Sequence, residues 1–207
     1  MADSANPLDD VVIVVTEFPT GSGPGDVPPA YDTSVAAFRH QDGFLRHQLL
    51  QAVGTGERLG VEWWRDGASV SAAEPLRTTP APALMRNAAH AEPRIPEGHP
   101  SEYGSWEVDV ETYTVRDAAD FRRRVVALGS TLRRQDGFRF WLLLADRADG
   151  DRVRALSWWR DADALGAARS APAVRHRRAA LADSAGVSSR HAVNVVYGDA
   201  ESVDSAA

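Results

Sequence analysis

The chain has no cysteine, which excludes a disulfide framework, a thiolate nucleophile and a thiolate-bound metal. It also has no lysine. All 23 basic residues are arginine, a pattern that, with the abundant alanine, reads as GC-rich coding rather than as function. No apolar run approaches the ~20 residues needed to cross a bilayer, so no membrane partner is expected. Excess positive charge is missing too. The net charge of −6 argues against a nucleic-acid partner, since a phosphate footprint needs a basic surface. The acidic first ten residues lack a positive segment followed by an apolar one, so no secretory leader is expected. Together with the missing cysteine this points to a cytoplasmic location. What remains, 43% hydrophobic and 25% charged residues over 207 positions, suits one large soluble domain or two small ones.

The strongest positive feature is an internal repeat. Gln41-Asp42-Gly43-Phe44 recurs as Gln135-Asp136-Gly137-Phe138, and Trp63-Trp64-Arg65-Asp66 recurs as Trp158-Trp159-Arg160-Asp161. Leu49-Leu50 matches Leu143-Leu144, and Arg39 matches Arg133. The offset is 94 at the first motif and 95 at the second, a one-residue change that belongs in the intervening hairpin.

The second copy is the cleaner one. Residues 106–115 alternate and suit a strand. Residues 117–133 place Phe121, Val125, Leu128 and Leu132 on one helical stripe. Residues 138–145 and 152–159 are predicted as strands around an Ala-Asp-Gly-Asp turn. A short helix is predicted from Ala162, another from Pro172 to about Leu181, and a closing strand over 190–197. The first copy opens with a strand over 11–18. A helix over about 31–40 follows, with Tyr31, Val35 and Phe38 buried, and then strands over 44–53 and 58–64. A short helix is predicted near 83–90, before a Pro-rich junction. The order β-α-β-β-α-β is the ferredoxin-like unit. One such sheet leaves a face bare, so the expected fold is α+β. Two tandem ferredoxin-like repeats, residues 10–98 and 103–198, would pack sheet to sheet as a pseudo-dimeric α/β barrel. Residues 1–9 and 199–207 read as flexible tails.

The Asp-Gly-Phe strand entry, the strand ending in Trp followed by Arg-Asp, and the Ser170-Ala171-Pro172 helix start resemble the dimeric α/β barrel superfamily. Within it they resemble the antibiotic biosynthesis monooxygenase family most. The resemblance spans both halves. It implies a cofactor-independent oxygenase that converts an anthrone-, hydroquinone- or phenol-like polyketide to a quinone with O2 as co-substrate. Reduced flavin as a further co-substrate stays open. The implied partner is a small aromatic substrate, and the assembly a monomeric pseudo-dimer or a homodimer. The family's site uses a Trp at the end of the third strand with an Asn four residues earlier. By position the Trp is Trp64 or Trp159, whereas the Asn is replaced by Gly60 and Ala155.

Neighbours in a strand face opposite sides, so one Trp of each tandem pair faces the helices and the other the opposite sheet face. Trp63 and Trp158 read as large core residues or substrate contacts. His47, where the second copy has Trp141, is either a satisfied half-buried histidine or a pocket acid–base group. Glu107, Asp109 and Glu111 share one strand face; a wet edge is expected there, or pairing with arginines, with a catalytic carboxylate the minority reading. Tyr113 on that face and Asn194 on the last strand could reach a ligand oxygen. The histidines show no metal-ligand spacing, so no metal is expected. An isomerase or cyclase on the same fold and a non-catalytic small-molecule binder are the competing readings.

Overall fold

The computed structural model describes residues 11–18, 27–78, 82–91 and 106–199. The chain divides into two compact units, residues 1–87 with 195–207, and residues 88–194. The first contains β1 (Val12–Phe18), α1 (Pro29–Phe38), β2 (Phe44–Ala52), β3 (Arg58–Trp64), α2 (Gly67–Ala73), a 3-10 turn (Glu74–Leu76) and most of β4 (Ala83–Ala91). The second contains β5 (Glu107–Val115), α3 (Ala118–Leu132), β6 (Phe138–Asp146), β7 (Arg152–Trp159), α4 (Ala162–Ser170), α5 (Pro172–Leu181) and most of β8 (Ala185–Asp199). Both follow the ferredoxin-like order. The fold is α+β with two tandem repeats.

In the first repeat the strands lie β4-β1-β3-β2, and in the second β8-β5-β7-β6. The registers correspond: Val12 faces Trp64 as Glu107 faces Trp159. A bulge falls at the same place in both, between Phe44 and Arg46 and between Phe138 and Phe140. One face of each sheet carries the helices. In the first repeat Val12, Val14, Phe44 and Trp64 pack with Phe38, Val70 and Ala73, while Phe18 and Leu49 pack with Tyr31 and Val35. In the second, Phe121, Val125, Leu128 and Leu132 all join one core with Trp141, Leu143 and Trp159, as the helical spacing requires.

The repeated tetrapeptides build the same corner twice. Gly43 and Gly137 sit at φ +84° and +74°, a left-handed conformation that costs glycine nothing. A Cβ at Gly137 would lie 2.4 Å from the Ala164 Cβ. The Arg65 and Arg160 amides donate to the Gly43 and Gly137 carbonyls at 2.7 and 2.8 Å. Their guanidiniums pair with Asp42 and Asp136. Asp66 and Asp161 then cap α2 and α4, accepting from the Ser69 and Ala164 amides at 2.8 and 2.7 Å. Gly, Arg and Asp are therefore corner-formers, each satisfying a backbone group at a strand exit or helix entry.

Two expectations need correction. Residues 83–90 form a strand, not a short helix. Their Ala, Leu, Met and Arg are good helix formers, but intrinsic propensities differ by less than about 1 kcal/mol per residue, and pairing along β1, from Val12 with Arg86 to Val15 with Ala83, outweighs them. The first repeat's short helix is α2 instead, at the position its partner α4 occupies one repeat later. The expected wet edge at Glu107, Asp109 and Glu111 is absent as well. β5 is an inner strand between β8 and β7; arginines cover Asp109 and Glu111, and Glu107 pairs with His191.

Candidate functional site

The helix-side faces of the two sheets carry buried polar groups, placed differently. In the first repeat they sit on β2 and β3. Glu62 accepts from the Trp64 indole at 3.1 Å and forms a two-pronged pair with Arg77 at 2.8 and 3.0 Å. The two side chains are only 1% and 2% exposed. Burial alone would lower the Arg77 guanidinium, but Glu62 and Glu74 outweigh it and hold it above its ordinary value. Arg77 also lies 4.8 Å over the Phe38 ring. His47 is buried, with Nδ1 3.0 Å from the Tyr31 hydroxyl. Burial, aided by the Glu62 charge and opposed by Arg39, pushes the Tyr31 phenol well above 10.0.

In the second repeat the polar groups sit on the central strand. Asp109, 1% exposed, receives Arg169 Nη2 at 2.7 Å and Arg178 Nη2 at 2.5 Å. Arg178 Nε reaches Glu111 at 3.0 Å. Arg169 comes from the last turn of α4 and Arg178 from α5, where it continues the inward stripe of Val174 and Leu181. Above them opens a cavity of about 410 Å³, lined by Glu111, Tyr113, Arg169, Arg178, Ser189 and His191 with Leu181 and Val187 at its apolar edge. His191 Nε2 pairs with Glu107 on the neighbouring strand.

The electrostatics of the cavity follow from burial. Desolvation raises the Glu111 carboxyl above its ordinary value, Arg178 opposes that rise and Asp109 adds to it. Burial likewise raises the Tyr113 phenol, with the Glu111 charge adding to it, so Tyr113 stays a neutral hydroxyl able to donate. For Arg178 burial acts downward, yet Glu111 and Asp109 keep it above its ordinary value and it remains a cation. An incoming ligand meets two guanidinium edges, a phenol, a hydroxyl and an imidazole. The carboxylates lie beneath. The cavity size is that of a small-molecule site.

Of the residues singled out in the sequence, Tyr113 lines this cavity. Trp64 and Trp159 face the helices and are fully buried, with the Trp159 indole donating to Ser157 Oγ at 2.9 Å. Trp63 and Trp158 are on the opposite sheet faces, with Arg46 over Trp63 at 5.6 Å and Phe140 against Trp158 at 5.5 Å. Trp141 lies under α3, where a Cβ at Gly129 would come within 2.9 Å of its ring. None of these five, nor His47, borders the cavity. The Asn194 side chain lies outside the described residues. Sequence reading passed over Arg169, Arg178 and His191. A signal was present: an arginine four residues after Val174 and three before Leu181 occupies an inward helical position, and inward arginines require carboxylates such as those alternating on β5.

Residues 116–180 match the family model described as antibiotic biosynthesis monooxygenase. The matched stretch lies within the second repeat. It includes α4 and α5, the source of Arg169 and Arg178. Among solved structures the chain is similar to an anthrone oxidase-like protein, at 19% identity and TM-score 0.68, covering 96% of this chain and 97% of that one. It is similar to a Fusobacterium nucleatum protein provisionally described as a monooxygenase, at 13% identity and TM-score 0.69, covering 92% and 94%. A Listeria monocytogenes ferredoxin-fold protein related to antibiotic biosynthesis monooxygenases aligns at 11% identity and TM-score 0.55, covering 91% and 98%. At these identities the likeness establishes the fold. No curated protein matches the chain significantly. Among the described residues no helix is long and apolar enough to cross a membrane, and no three His, Asp or Glu side chains are grouped to hold a metal ion.

Proposed function

We propose that this protein is an oxygenase that oxidises a small hydroxylated aromatic, of the anthrone, hydroquinone or phenol type, with O2 in the second-repeat cavity. The observation that carries this reading is the cavity itself. It lies against the two helices of the matched stretch and presents cationic and hydroxyl donors over buried carboxylates. The His191 imidazole, oriented by Glu107, takes the acidic proton of the substrate, and Glu107 stabilises the imidazolium that results. The substrate anion is held by Arg178, Arg169 and the Tyr113 hydroxyl, donors fixed in place before reaction. The electron-rich anion passes an electron to O2, the radical pair combines to a peroxide, and water leaves. For a ring methylene the balance is CH2 + O2 → C=O + H2O. The protein positions the reactant, holds the charge and returns the proton to the departing oxygen.

The test is oxygen uptake and quinone absorbance with 1,8-dihydroxyanthrone, with and without reduced flavin, for the parent, Tyr113→Phe and His191→Ala. Rates at least tenfold lower in both variants support the assignment. Equal turnover of a polyketide-like substrate with oxygen removed would instead make the protein a cyclase or isomerase, a reading that the acid–base character of the cavity also suits.

A further inference from the structure

Asp109, Glu111, Arg169 and Arg178 set two carboxylates against two guanidiniums, but the two carboxylates are not equally committed. Asp109 takes Arg169 through Nε and Nη2 and Arg178 through Nη2, whereas Glu111 meets Arg178 at Nε, 3.0 Å away. Glu111 borders the cavity and Asp109 does not. The Nη1 edges of both arginines take no part in these contacts, and Arg169 and Arg178 keep 35% and 22% exposure. Beside Glu111 the Tyr113 hydroxyl is buried with no well-aligned hydrogen bond, although buried polar groups are as a rule bonded. Ser189, opposite Glu111 in the β5–β8 ladder, adds a second hydroxyl to the cavity. Val187 and Leu181 supply its apolar edge.

Guanidinium edges and hydroxyls beside an apolar edge fit an organic anion with an apolar body. Such an anion meets the Glu111 carboxylate, 4% exposed, at the same guanidinium. Three negative charges would then face two cations with little water between them, and like charges sharing a site force one acid to neutralise. The other charged groups facing Glu111 are few. On its own strand Asp109 lies beneath it, held by both arginines, and Glu107 is paired with His191 of β8. From β7 the neighbours on this face are Val153, Ala155 and Ser157, and α3 turns Phe121, Val125 and Leu128 inward. Glu107 and His191 are more exposed than Glu111, so water screens them. Glu111 is thus the acid with one guanidinium contact and almost no water, and burial already raises its carboxyl.

We infer that the cavity takes an organic anion and that Glu111 is the displaceable counter-ion of its seat, gaining a proton from solvent as the ligand's anion replaces it on Arg178. This deepens the function proposed above, whose substrate anion is one such ligand. Selection for charge and proton uptake are then a single event. Ionised, Glu111 repels the ligand's charge; protonated, it offers the ligand a further hydroxyl donor. An uncharged ligand of the same shape gains from neither.

The probes are 2-naphthoate, which stays ionised from pH 6 to pH 8, and its uncharged counterpart 2-naphthamide. Each is titrated calorimetrically into the full-length protein across that range. Naphthoate should bind at least tenfold tighter than naphthamide at pH 6. Its affinity should fall as pH rises, towards the limit of about tenfold per pH unit for one proton. Heats in buffers of different ionisation enthalpy should show a proton taken up with naphthoate and none with naphthamide. Glu111→Gln should keep the preference for naphthoate but lose the uptake and the pH dependence, whereas His191→Gln should keep both. Circular dichroism confirms that each variant is folded, and where Glu111→Gln does not fold, the parent and His191→Gln titrations decide. Binding of neither probe, binding blind to charge, an affinity flat in pH, or uptake lost in His191→Gln overturns the inference. Naphthoate carries no ring methylene to oxidise, so its binding is independent of turnover. The expected titrations without oxygen uptake from 1,8-dihydroxyanthrone would remove the oxygenase reading alone. Oxygen uptake alongside charge-blind binding would remove the displaceable counter-ion alone.

Discussion

Arg178→Leu removes the cation shared by two buried carboxylates, and its cost follows from what is left behind. Removing one partner of a buried ion pair costs about 3–5 kcal/mol, because the remaining charge stays desolvated. Asp109 keeps Arg169 at 2.7 Å, and Arg178 is 22% exposed, so water softens the loss and the lower end, about 3 kcal/mol, is expected. Against a total stability of about 5–15 kcal/mol this is large. It corresponds to a fall in Tm of roughly 6–12 °C for a chain of this size. The dependence on pH identifies the mechanism. Glu111 already sits above its ordinary 4.5 through burial, with Arg178 opposing the rise, and loss of Arg178 moves it further up. Between the ordinary and the raised value the folded variant holds a proton that the unfolded chain has released, so its stability falls as pH rises through that window. The deficit relative to the parent should therefore narrow as pH drops from 7 to 5. Urea denaturation at both values reads this directly. Adding Glu111→Gln should restore more than about 1 kcal/mol through the double-mutant cycle. A deficit under about 1 kcal/mol at pH 7, or one that widens on acidification, refutes the reasoning.

Other consequences follow from the same geometry. Arg77→Met should cost about 3–5 kcal/mol, since it strands a Glu62 carboxylate that has almost no exposure. Glu62→Gln/Arg77→Met should cost less than the two single changes summed, as read by chemical denaturation. Gly137→Ala forces a side chain into the left-handed region and onto Ala164. A loss of at least about 2 kcal/mol in thermal unfolding is expected. Gly150→Ala, where nothing lies within 4 Å, should be close to neutral. Tyr31 and Tyr113, both raised by burial, should not contribute to the 295 nm phenolate absorbance that develops near pH 10–11 in the folded protein. Tyr31→Phe or Tyr113→Phe should leave that amplitude unchanged, and a drop of one tyrosine equivalent in either would contradict the burial argument.

Much of the fold was legible because its signals are local. The α3 stripe of Phe121, Val125, Leu128 and Leu132 follows from 3.6-residue periodicity. Pro172 sets the start of α5, and the repeated tetrapeptides locate each strand exit. β4 was misread because the residues of 83–90 are mostly good helix formers, and pairing with a strand distant in sequence overrode that local preference. The missed α2 was recoverable from the repeat, since Asp66 mirrors the capping Asp161. The cavity was the least visible part. Its floor, Glu107 to Tyr113, was seen as one face, but which helices cover that face depends on tertiary packing. The inward arginines became meaningful only once α4 and α5 lay over β5. The tandem tryptophans drew notice by rarity and size, and in the structure both helix-side members serve the core with their N–H groups committed.

The different placement of buried charge in the two repeats bears on how far they are interchangeable as modules. The first keeps its acid on β3 and answers it from the turn after α2, whereas the second keeps its acids on β5 and answers them from α4 and α5. A hybrid second repeat with the β1 sequence spliced in place of β5 would retain every corner glycine and capping aspartate. It would nevertheless leave Arg169 and Arg178 facing Val14 and Thr16 in place of Asp109 and Glu111. The shared corners let either strand enter the same frame, but the electrostatics tie each strand to the helices of its own repeat. Recombination between the halves is therefore constrained by counter-ions rather than by shape.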